Sequence, residues 1–82
     1  MNLLNNLNKL HTTELWLQRI KKNLSLETND IVSWCKNKIS LPQAKISKKW
    51  KNYYVQIENY FFTINFYTYT IITAHKIKTT VI

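Results

Sequence analysis

Residues 44–75 read AKISKKWKNYYVQIENYFFTINFYTYTIITAH, and their period decides the fold. Ala44, Ile46 and Lys48 alternate with Lys45, Ser47 and Lys49, the pattern of an edge strand. Tyr53, Val55 and Ile57 alternate with Tyr54, Gln56 and Glu58. Tyr60, Phe62, Ile64 and Phe66 alternate with Phe61, Thr63 and Asn65, and Thr70, Ile72 and Ala74 with Tyr69, Ile71, Thr73 and His75. A period of two sends successive side chains to opposite faces of a sheet. The connections are short, so an antiparallel four-stranded meander over 43–78 is the expected topology. Turns are expected at 49–52, 58–59 and 66–68. Asparagine is the usual non-glycine residue at positive φ, so Asn52 and Asn59 are expected to take that conformation.

Upstream, over residues 1–40, the period lengthens to that of a helix. Leu3, Leu4, Leu7 and Leu10 mark a short amphipathic segment. Thr12 or Thr13 caps a second helix, with Glu14 in its first turn, Leu15, Trp16, Ile20 and Leu24 as its stripe, and basic residues at its end. Thr28-Asn29-Asp30 caps a third helix, about 28–39, with Ile31, Trp34, Cys35 and Ile39 inward; Pro42 stops it. The fold class is therefore α+β: two to three N-terminal helices on a four-stranded antiparallel meander, in one domain spanning 1–82.

Composition narrows the function. At average usage about six glycines belong in a chain of 82 residues, and this one has none. That excludes glycine-rich loops that cradle phosphates, and with them most nucleotide-dependent enzymes. One cysteine excludes a disulfide framework and a cysteine-based zinc site, and points to a reducing compartment. Neither a signal peptide nor a membrane span is legible, so a cytoplasmic protein with no membrane partner is expected. Neither histidine has an acidic neighbour or a second ligand at metal spacing; no metal and no cofactor are expected.

The net charge is +8, and the second half is the more basic. Such an excess attracts polyanions. Nine of the eleven aromatics lie between Trp50 and Tyr69, and aromatics beside lysines suit base stacking and backbone tracking. Lys45, Lys48, Lys49 and Lys51 crowd the first hairpin, where they suit phosphate; lysines on an edge strand also guard against aggregation. His75 shares its phase with Thr73, Ile71 and Tyr69, which places Thr73 and Tyr69 beside it and Lys76 next in line. The nucleic-acid-binding candidates are accordingly Lys45, Lys48, Lys51, Tyr69, Thr73 and Lys76.

Residues 11–26, HTTELWLQRIKKNLSL, and 63–78, TINFYTYTIITAHKIK, resemble a family of small bacterial and phage-associated proteins known only as a domain of unknown function. NDIVSWCKNKI and ISKKWKNYYV fit the same pattern, which covers nearly the whole chain. Against that pattern, Trp16 and Trp50 stand where small or glycine residues are expected. More distantly, helices followed by a sheet ending in YTIITAH resemble the barnase, EndoU and RelE-like ribonuclease toxins. That second resemblance implies metal-independent RNA cleavage, with a base for the 2′-OH, an acid for the leaving oxygen and a cation for the phosphorane. The matching candidates are His75 with Lys49 (or Lys45 or Lys48), assisted by His11.

The expected function is thus a small, basic, RNA-directed protein. The expected partner is RNA or a nucleoprotein complex, with an antitoxin or an immune effector as possible protein partners. Two alternatives stand beside it. One is a non-catalytic phage-type inhibitor of the anti-CRISPR kind; the other is a homo-oligomeric module whose interface covers Phe61, Ile71 and Tyr69.

Overall fold

Cross-strand pairing in the computed structural model, which describes residues 3–28 and 30–77, sets the frame of the molecule. Strands β1 (Lys45–Lys49), β2 (Asn52–Ile57), β3 (Tyr60–Asn65) and β4 (Ile71–Lys76) form one antiparallel sheet in sequential order. Ile46 pairs with Val55, Val55 with Phe62 and Phe62 with Ala74, so these four share a face. Tyr53 and Ile64 stand beside them, and all but Ile46 are buried. Strand β4 ends at Lys76, and Lys78 lies outside the described residues.

Helices α1 (Glu14–Leu24) and α2 (Ile31–Ile39) cover that face. Ile20 and Leu24 from α1 and Ile31, Cys35 and Ile39 from α2 join the same core, with α1 lying along β4. Trp34 meets the edge of Tyr60 at 5.0 Å between ring centroids, which locks α2 to β3. The Thr13 hydroxyl accepts from Trp16 N–H at 3.3 Å, and Asp30 Oδ1 accepts from Ser33 N–H at 3.1 Å. These bonds satisfy donors that a helix start leaves open. The Asp30 carboxyl is held below its ordinary pKa mainly by that backbone bond. Helix α2 begins three residues later than its sequence pattern suggests because Asp30 is the cap.

The first leucine segment is a 3₁₀ helix, Leu3–Lys9, kinked at Asn6. Seven residues with three asparagines do not sustain an α-helical nucleus, and long 3₁₀ runs are strained, hence the kink. It still buries Leu3 and delivers Leu10 to the core. His11 then pairs in parallel with Thr70, through His11 N–H to Tyr69 C=O and Ile71 N–H to His11 C=O, and so extends the sheet beyond β4.

Two local expectations are corrected. Among the described residues the positive-φ positions are Ser25, Trp50, Glu58 and Tyr69, not Asn52 or Asn59. Pairing of Lys49 with Asn52 and of Ile57 with Tyr60 leaves the two-residue loops Trp50-Lys51 and Glu58-Asn59. Positive φ at the first loop position only is the pattern of a type II′ turn. Burial of alternate side chains sets the register, and whichever residue lands at that position takes its φ. The second correction concerns β4, where Thr63 faces Thr73 but Ile64 faces Ile71. Ile72 is an extra residue, a bulge, and it turns Ile71 toward the helices while Thr73 and His75 stay on the other face.

Candidate nucleic-acid interface

The face of the sheet away from the helices is built by the residues that alternate with the core. Pairing places Lys45, Gln56, Phe61 and His75 in one row across all four strands. Ser47, Tyr54, Thr63 and Thr73 form the next row, followed by Lys49, Asn52 and Asn65. No described helix covers these rows. Tyr54 stacks on Phe61 with centroids 5.9 Å apart and planes at 29°, and Phe61 meets His75 at 5.6 Å. Tyr54 and Phe61 are half-buried against one another while His75 is exposed. Three rings on adjacent strands thus make a continuous platform, with Lys45 and Lys49 on its edge strand.

The charge is left unneutralised on this side. The one ion pair among the described residues joins Lys38 and Glu58 at 2.5 Å, with the Lys38 ammonium also over Trp34 and Tyr60 on the helix side. Lys45, Lys49 and Lys51 are exposed, and none has a carboxylate within ion-pair distance.

The sequence candidates are distributed more widely than their order in the chain implies. Thr73 and His75 lie on the open face, as does Lys45. Lys51 is in the first hairpin loop. Lys48 is on the opposite side of β1 from Lys45 and Lys49, its ammonium 4.2 Å from the centre of the Phe66 ring. The four lysines of that hairpin therefore do not converge. Lys76 pairs with Tyr60 and shares the helix-side phase. Tyr69 is 5% exposed, its ring packed against Tyr53, so it offers no stacking surface. Its left-handed backbone and the bulge that follows take it out of phase with His75.

His11, His75 and Lys49 are likewise separated. His11 lies level with Thr70, five residues before His75, which is roughly 15 Å along a strand. Lys49 is three strands from β4 and at the end opposite to His75, another roughly 14 Å across. Acid, base and cation acting on one phosphodiester must touch the same few atoms, and these three do not. His11 is instead a pin. Its Nδ1 donates to Lys9 C=O at 2.9 Å, because a carbonyl only accepts. Its Nε2 is hydrogen-bonded to Thr70 Oγ1 at 3.1 Å, and Thr70 Oγ1 to Thr68 Oγ1 at 2.7 Å.

Phe61 and Tyr54 are the ring residues of the open face that the sequence candidates omit. Their alternation was legible, but their place opposite the helices depends on which face is covered. Among the described residues, no three His, Cys, Asp or Glu side chains are grouped as a metal site requires, and no helix is long and apolar enough to cross a membrane.

No curated protein and no solved structure matches the chain. Nothing in these comparisons connects it to the ribonuclease toxins. Residues 4–75 match the family described as "Protein of unknown function (DUF3781)". That span takes in both helices, β1 to β3 and most of β4. The chain belongs to the DUF3781 family.

Proposed function

We propose that this protein binds single-stranded RNA across the open face of its sheet. The observation that carries the reading is the Tyr54–Phe61–His75 platform beside unpaired lysines on β1. Bases stack on such rings only when they are unpaired, and RNA supplies them in loops and ends. Phosphates flanking the stacked bases meet Lys45 and Lys49, while Lys51 extends the positive edge. Binding rather than cleavage is supported by the separation of His11, His75 and Lys49.

Fluorescence anisotropy with a labelled single strand of about 12 nucleotides, titrated from about 50 to 200 mM salt, tests this. Three lysine–phosphate contacts give a log–log salt slope of about −2, and reversing Lys45 and Lys49 to glutamate flattens it. Absence of binding at the lowest salt, or a slope indifferent to both reversals, overturns the reading. RNA cut in EDTA by the native protein and spared by a His75→Ala variant would replace it with a catalytic one.

A further inference from the structure

Trp50 is the most exposed large apolar residue described, at 82%, and it stands at φ 61° in the loop between β1 and β2. Both facts are unfavourable in themselves. A side chain with a Cβ is strained at positive φ, and an indole in water gains nothing from the fold. The loop is not loose: Lys49 pairs with Asn52 at its base, and Lys51 C=O accepts from Phe66 N–H at 2.6 Å. Trp50 is therefore presented on a fixed hairpin, between Lys49 and Lys51, with no ring or cation of the described residues against it. Trp16 is covered by Arg19 and Trp34 by Tyr60, so this exposure is particular to Trp50.

We infer that this hairpin tip is a second contact for nucleic acid, which selects unpaired strands over duplex. It rests on the reading of the sheet face as an RNA platform. Trp50 stacks on a base that has left the platform at its Lys49–Asn52–Asn65 end, and Lys49 and Lys51 hold the phosphates on either side of that base. A duplex keeps its bases stacked on each other and offers the indole no face except at its ends. A polyanion is the occupant that fits because lysines flank the indole in sequence on both sides and no carboxylate is paired with them.

The strain separates a binding role from a structural one. Trp50→Gly relieves the backbone, so a tryptophan kept for the fold would give a less stable variant, and one with no role would give a variant no weaker in any respect. The expected result is the opposite sign in two measurements: a higher melting temperature, and single-strand affinity reduced at least about fivefold. Duplex RNA of the same sequence binds the native protein and the variant equally, through phosphate contacts alone. Trp50→Phe recovers most of the single-strand affinity, and native tryptophan emission is quenched by the single strand but not by duplex. Unchanged single-strand affinity in Trp50→Gly, with Phe61→Ala still weakened, overturns the hairpin contact and leaves the platform standing. No single-strand binding by the native protein overturns both. An emission shift with phosphatidylserine vesicles and none with RNA overturns the inference in favour of a lipid surface.

Discussion

Phe61 and Phe62 are neighbours in the chain with opposite roles, and replacing each by alanine tests the assignment of the two faces. Phe62 is fully buried between Val55 and Ala74 and within 6.3 Å of the Trp34 ring. Emptying such a site costs about 3–5 kcal/mol, transfer and cavity together. A domain of 82 residues has about 4–12 kcal/mol in all, so Phe62→Ala removes a large share. At about 4–8 °C per kcal/mol its melting temperature falls by at least about 12 °C. Phe61→Ala loses two ring pairs, to Tyr54 and His75. Cross-strand pairs are worth about 0.2–1 kcal/mol each, so this loss stays under about 2 kcal/mol. The same change removes a base-stacking surface, a cost to RNA affinity of about 1–3 kcal/mol. Thermal unfolding by circular dichroism and RNA anisotropy on both variants measure the two effects separately. If Phe61→Ala melts as far down as Phe62→Ala, or binds RNA as the native protein does, the platform does not exist as described.

Two further outcomes follow from the backbone and the core. Ser25 ends α1 in the left-handed region, with Leu26 N–H returning to Lys21 C=O. Glycine there relieves about 1–2 kcal/mol of steric cost and gives back about 0.4–1 in chain entropy, so Ser25→Gly should melt a few degrees higher; a fall would refute the strain argument. Burial pushes the Cys35 thiol up to about 12, so the native protein should react with a disulfide reagent at mildly alkaline pH only after denaturation, and prompt labelling would show the helix face to be open. The folded state keeps that thiol protonated where the unfolded chain ionises it, near about 8.5. Its contribution to stability is therefore present below that pH and declines as pH rises toward about 12.

The strands, the helices and their order were legible because burial on one side imposes a period, and the period changes from that of a helix to two between Ile39 and Lys45. Caps within 12–13 and 28–30 were readable because a short side-chain oxygen at such a place has few other uses, and the structure assigns them to Thr13 and Asp30. Turn conformation was not. With no glycine present, asparagine was the chemically reasonable residue for positive φ, yet register placed Trp50 and Glu58 there. The shared face of Tyr69, Ile71 and His75 failed for a similar reason: strict alternation carries no sign of a bulge at Ile72. Lys48 and Lys49 adjoin in sequence but serve opposite faces, as neighbours in a strand must.

By itself the sequence determined the α+β class, the meander, the excess of positive charge and the concentration of aromatics in the sheet. These follow from local periodicity and composition, which one strand or one helix displays alone. Tertiary structure decided which face the helices cover, and hence that Phe62 is core while Phe61 lies on the open side. It also decided that His11 and His75 stand apart, since pairing of the N-terminal segment with Thr70 is a contact across 59 residues of chain. Two faces of equal alternation differ only in what packs on them, and that choice is made when α1 settles along β4 and α2 against β2 and β3.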